Sequence, residues 1–142
     1  MMFEISISVT VKSLPKWLNK NFITKILVRL PKKYFKKSPK IFSFVFIGDH
    51  KMKKFNYTYR GKNYSTDVLS FRYERIGEIL ICVPQAVRQA YIFNIPLKKE
   101  MARLIAHGIL HTVGFDHERS EKEAKKMFTL QDKMAGWDSA PF

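Results

Sequence analysis

From Phe3 to Lys12 apolar and polar side chains alternate, with Phe3, Ile5, Ile7, Val9 and Val11 on one side, the two-residue period of a half-buried strand. Ser13 and Pro15 then mark a helix start. Leu18, Phe22, Ile23, Ile26, Leu27 and Leu30 recur at three- and four-residue spacing until Pro31 stops the pattern. Lys32 to Lys40 is basic, carries Pro39 and reads as a connector, and the β-branched and aromatic run Ile41 to Ile47 reads as a buried strand. Asp49 as N-cap and Gly61 as C-terminal stop bracket a helix with Met52, Phe55, Asn56 and Tyr59 along one face. Val68 to Arg72 and Ile76 to Val83 are short strands on either side of a charged turn, and Gln85 to Phe93 is a short helix. After Pro96 a longer helix runs from Leu97 to about Val113, carried by Met101, Leu104, Ile105, Ile109 and Leu110. Ser120 and Glu123 have capping-box spacing and open a last helix to about Met134, beyond which residues 135–142 read as a frayed tail. Four strands and five helices within 142 residues, with no repeat and no low-complexity linker, predict one α+β domain over residues 1–142.

Charge changes this picture by pointing to a partner class. The chain carries 26 Lys+Arg against 12 Asp+Glu, a formal +14, which favours polyanionic partners whatever the fold. The excess is uneven: Met1 to Asn63 holds 15 basic and 2 acidic residues, whereas Tyr64 to Phe142 holds 11 and 10. RNA, DNA and anionic membrane are all open on charge alone, and the lysine run Lys32, Lys33, Lys36, Lys37 and Lys40 either meets phosphates or forms a solvated loop. Cys82 is the single cysteine, which excludes a disulfide framework and a thiolate zinc site and fits a small buried hydrophobe. Lys12, Lys16, Lys20 and Lys25 interrupt any apolar signal core, and no stretch approaches a membrane span, so a cytoplasmic, membrane-free protein is expected.

The candidate chemistry lies in His107-Gly-Ile-Leu-His111-Thr-Val-Gly114-Phe-Asp116-His117, which contains three of the chain's four histidines; His50, the fourth, reads as a surface residue or a hydrogen-bonded core residue. His107 and His111, four apart on a helix, project from one face a turn apart. Gly114 ends the helix in a conformation other residues resist, so the chain turns back and brings His117 in as a third ligand. Three imidazoles leave one tetrahedral position of zinc free, as catalytic rather than structural sites do, and one zinc per chain is expected. Zinc lowers the pKa of its bound water to roughly 7, which suits hydrolysis. Asp116 either accepts a proton from a ligand imidazole or serves the turn. The spacing equals that of metzincin proteases, but Gly108 stands where their glutamate base would be, which weighs against a peptidase.

The histidine block resembles the signature of the YbeY family of bacterial endoribonucleases. Asn56-Tyr57-Thr58-Tyr59-Arg60-Gly61-Lys62, Thr66-Asp67-Val68-Leu69-Ser70-Phe71 and Gly77-Glu78-Ile79-Leu80-Ile81-Cys82 resemble the family's other blocks in the same order, so the likeness covers roughly Asn56 to Met134. The resemblance implies a zincin-like fold, a small mixed sheet, and zinc on His107, His111 and His117. It further implies cleavage of single-stranded RNA in 16S rRNA 3′-end maturation and ribosome quality control, with the ribosome or its proteins as partners and no DNA. Arg60 matches the family's important arginine, and a guanidinium facing a metal cleft suits bidentate grip on a phosphate. Arg72 stands where the family often has proline, and Glu78 where aspartate is common. Metal-bound water and a ribose hydroxyl remain alternative nucleophiles. The rivals are a peptidase or other acyl hydrolase using the same metal, and a non-catalytic ribosome-binding factor with a structural metal.

Overall fold

The computed structural model describes residues 3–137. Four strands, β1 (Glu4–Val9), β2 (Ile41–Ile47), β3 (Val68–Tyr73) and β4 (Ile76–Cys82), form one mixed sheet in the order β1-β2-β4-β3. β1, β2 and β4 run parallel and β3 returns antiparallel on β4 through the charged turn, with Glu74 at a φ of 47°. Parallel neighbours need crossovers, and helices supply them: α1 (Lys20–Leu27) joins β1 to β2, and α2 (Asp49–Arg60) leads from β2 towards the β3–β4 hairpin. Three more helices follow, α3 (Val83–Phe93), α4 (Leu97–Thr112) and α5 (Glu121–Ala135).

The register explains why β2 reads as a continuous apolar run. Phe42, Phe44 and Phe46 pair with Gly77, Ile79 and Ile81 and sit fully buried in the main core with Ile23, Ile26 and Leu27 of α1, Leu104, Ile105 and Ile109 of α4 and Met127 of α5. The intervening Ile47 faces the other way with Leu69, Leu80 and Cys82, where Met52 of α2 covers them. A strand covered fully on one face and partly on the other loses the alternation that a half-exposed strand shows.

Several boundaries differ from the sequence expectation for local reasons. α1 starts at Lys20, not near Pro15, because the Asn19 side chain accepts the Phe22 N–H and caps it there; residues 16–19 form turns. Gly48 is the N-cap of α2 and Asp49 its first residue, so the Asp49 carboxylate serves Arg88 and Ser65 rather than the helix end. Lys32–Lys37 is a 3₁₀ turn inside the expected connector, anchored by Phe35 stacked on Phe3 and Tyr34 against Phe115. Within the expected tail at 135–142 the first three residues are ordered: Ala135 is helical, Gly136 caps α5 with positive φ, and the Trp137 indole donates to the Lys99 carbonyl at 2.9 Å. The remaining tail residues, 138–142, lie outside the described residues. No helix among the described residues is long and apolar enough to cross a membrane.

Candidate metal centre

α4 reaches the site because glycine lets it lie close on the sheet. A Cβ on Gly108 would stand 2.5 Å from Ile79 Cγ2 and 3.3 Å from Ser70 Oγ, and one on Gly77 would stand 3.0 Å from Thr112 Cβ. Gly108 therefore faces the sheet and not the cleft, so the place where a metzincin carries its glutamate has no room for one. The end of α4 is fixed from β3: the Arg72 guanidinium donates to the carbonyls of Thr112 at 2.7 Å, Glu74 at 2.6 Å and Lys37 at 3.0 Å. A cation on the last carbonyls of a helix also complements its dipole.

His107 and His111 project from the exposed side of α4, and Gly114, at a φ of 109°, turns the chain so that His117 returns to them. One nitrogen from each of the three lies within 4.8 Å of the other two, and among the described residues no other His, Cys, Asp or Glu joins this group. The His107 Nδ1–H donates to the Gln131 amide oxygen at 2.7 Å, which leaves Nε2 with its lone pair, facing His111 Nε2 at 3.1 Å. His117 Nδ1 is buried without a hydrogen-bond partner. Imidazole nitrogens brought this close in a half-buried site are a donor set that a cation satisfies. Tetrahedral zinc needs nitrogens about 3.4 Å apart, so the residues fit a divalent cation. Phe128 of α5 covers this side, 5.6 Å from the His117 ring and 6.4 Å from that of His107 between centroids.

Burial pushes His107 down to about 4 despite its bond to Gln131, and burial lowers His111 as well. The unfolded chain takes up a proton at His107 as pH falls through 6.5, whereas the folded chain resists until about 4. Metal-free protein should therefore lose stability across that window, by roughly 3 kcal/mol in all, with no further loss from this group below it. Thermal melting of the metal-free chain is expected to fall between pH 6.5 and 4.5, and His107→Gln should flatten the fall. Equal slopes for both proteins would assign the loss to other groups.

The three histidines line a cleft of about 640 Å³ together with Arg60, Thr66, Asp67, Ser70 and Arg103. Arg60 ends α2 and is exposed, and among the described residues no hydrogen bond or ion pair engages its guanidinium. Arg103 is different. It forks onto Glu100, fully buried, through two 2.7 Å bonds and lies 3.7 Å from Asp67. Gln89 completes this network by donating to Glu100 at 2.5 Å and to Asp67 at 3.3 Å. Asp116 takes the turn role: it accepts the Glu118 N–H at 2.9 Å, while its own N–H goes to Glu123. His50 lies exposed on α2 and is not among the cleft residues.

The profile described as Endoribonuclease YbeY matches residues 4–136. The chain belongs to the YbeY family. Curated YbeY relatives include one from Persephonella marina, 46% identical over 95 residues, which are 61% of this chain and 62% of that protein. One from Phytoplasma mali is 40% identical over 117 residues, 80% of this chain and 77% of that one. In the Persephonella and Thermodesulfovibrio relatives the matched stretch spans less than two thirds of their length, 62% and 64%. A solution structure from Thermotoga maritima superposes with a TM-score of 0.61 at 25% identity, covering 96% of this chain and 93% of that one. The α+β architecture expected from the sequence is thus that of the YbeY fold. Of the residues singled out beforehand, the fold gathers His107, His111, His117 and Arg60 on one cleft. Gln131, Phe128 and the Glu100–Arg103 network had no signal in the sequence, since each sits in an ordinary helical pattern.

Proposed function

We propose that this chain is a zinc-dependent endoribonuclease acting on single-stranded RNA, with one zinc on His107, His111 and His117. Membership of the YbeY family supports the reaction class, and the observation that carries it to particular residues is the unpaired Arg60 guanidinium on the wall of the three-histidine cleft. A divalent cation held by the three imidazoles supplies a Lewis acid and brings the pKa of the attacking hydroxyl towards neutrality. Arg60 grips the non-bridging oxygens of the scissile phosphate bidentately and offsets charge that grows at phosphorus. Gln131 holds His107 in the tautomer whose free nitrogen faces the cation. Phe128 keeps water off the flank of His107 and His117, and Glu100 holds the Arg103 guanidinium in place on the cleft lining beside Asp67. Maturation of the 3′ end of 16S rRNA on the ribosome, in the cytoplasm, is the cellular role that this reading carries. The peptidase reading is disfavoured, because Gly108 leaves no space for a carboxylate base.

The test is cleavage of a defined single-stranded RNA by purified protein, with end-group analysis of the products to identify the nucleophile. Arg60→Ala should keep circular dichroism and zinc content near wild type and lose cleavage by about 10²-fold or more. Undiminished cleavage would remove Arg60 from the reaction, and an unfolded variant would make it structural.

A further inference from the structure

Beyond the metal cleft, two shallow depressions continue its path across the surface. The first, about 350 Å³, shares Gly114 and Phe115 with the cleft and reaches Tyr34, Lys122 and Lys126. The second, about 500 Å³, shares Tyr34, Lys122 and Lys126 with the first and adds Lys33 and Lys125. One track therefore runs from the histidines over the Gly114–Phe115 turn to a groove between the 3₁₀ turn and α5.

The lysines meet there from segments far apart in sequence. Lys122, Lys125 and Lys126 are exposed and stand at helical spacings of three and four, so α5 presents them as one stripe. Lys33 comes from the 3₁₀ turn, which Tyr34 holds in place by packing on Phe115, 5.1 Å between ring centres. Lys33 and Lys126 both lie over the Tyr34 ring, 5.2 and 5.8 Å from its centre. None of the four ammonium groups has a carboxylate partner among the described residues. The one acid lining the two depressions, Glu123, is committed to the Asp116 N–H at 2.8 Å and to Arg119 at 3.1 Å. Four unneutralised cations within a Debye length repel one another, and a polyanion relieves that repulsion.

We propose that this lysine groove is a second binding site for the backbone of single-stranded RNA, holding nucleotides that flank the scissile phosphate. It rests on the endoribonuclease reading and extends it: cleavage takes place at the histidines, and length preference arises at the groove. A positively charged groove beside an aromatic ring is how proteins track single strands without reading their sequence.

The test compares K122Q/K125Q/K126Q with K51Q/K53Q/K54Q, which removes the same charge from exposed positions on α2 across the sheet. Both zinc-loaded variants meet two single-stranded RNAs, one of about 6 nucleotides, enough for the cleft, and one of about 20 that reaches the groove. Binding is read by fluorescence anisotropy with phosphorothioate-substituted RNA, and cleavage with unmodified RNA. The groove variant should bind the longer RNA on the order of tenfold more weakly, with a log–log salt slope shallower by up to about 2. Its zinc content and its cleavage of the short RNA should match wild type, and the α2 variant should bind both RNAs as wild type does. Equal losses in the two variants would overturn the proposal in favour of a diffuse charge effect. Wild-type affinity in the groove variant would overturn it too, and would assign the groove to another partner, such as an acidic protein segment. If the wild-type protein cleaves neither RNA, the endoribonuclease reading fails first and this inference falls with it.

Discussion

His111→Ala is expected to give a folded protein that retains almost no zinc and has no measurable RNA cleavage. Losing one of three nitrogen ligands leaves two, and two imidazoles do not hold zinc against buffer and water at the affinity of a catalytic site. The fold should survive, because His111 is only half-buried and faces the cleft, and truncation there costs about 1 kcal/mol. Truncation also removes the 3.1 Å approach of His111 Nε2 to His107 Nε2, so the metal-free variant should melt close to metal-free wild type. The contrast appears on adding zinc. At a hundredfold excess over its dissociation constant, zinc stabilises a protein that binds it only when folded by about 2.7 kcal/mol, a shift the variant should lack. Elemental analysis, thermal melting with and without zinc, and RNA cleavage together check it. Full occupancy in the variant would mean that another residue supplies the ligand.

The second large effect is expected from a single methyl group. In Gly108→Ala the new Cβ falls 2.5 Å from Ile79 Cγ2, and Ile79 is fully buried between strands and helices, so it has nowhere to move. Overpacking a dense interior costs about 1–3 kcal/mol, while alanine returns up to about 1 kcal/mol through helix propensity. A net loss of about 1–2 kcal/mol should lower the melting temperature by roughly 2–4 °C for each kcal/mol. The alternative to instability is that α4 lifts from the sheet, carrying the imidazoles of His107 and His111 with it, and zinc affinity then drops instead. Gly108→Glu, which writes the metzincin motif into the chain, should not fold. An alanine variant that melts like wild type and binds zinc equally well would show that the helix does not depend on this contact.

The parts of the site legible in the sequence were those with short-range periodicity. His107 and His111 share a helix face by their spacing, and Gly114 marks the turn that returns His117, so the three-histidine cluster could be read from eleven residues. Gln131 could not be read, because its contact with His107 depends on how α5 packs on α4, twenty-four positions along the chain. The same holds for Glu100. Within Lys-Lys-Glu-Met it looks like a solvated helix residue, yet it is fully buried and neutralised by Arg103. Arg60 was recognised through the family blocks; as a lone arginine before a glycine it would have read as an exposed helix end. The four-strand sheet followed from β-branched runs, but its order β1-β2-β4-β3 rests on long-range pairing that no local pattern encodes. Arg72, which stands where proline is common in the family, ties β3 to the end of α4.

The bond from His107 to Gln131 also bears on when the centre matures as the chain is made. All three histidines precede α5 in the chain, so a growing polypeptide exposes its ligands before it has the residue that orients the first of them. Until α5 emerges and docks, His107 is free to present either nitrogen, and Phe128 does not yet shield the rings. Domains fold as units once enough chain is available, so on the proposed metal reading the last helix would complete the orientation of His107 only once it docks. An unfinished chain of this protein would carry the full ligand set yet be a poor competitor for zinc.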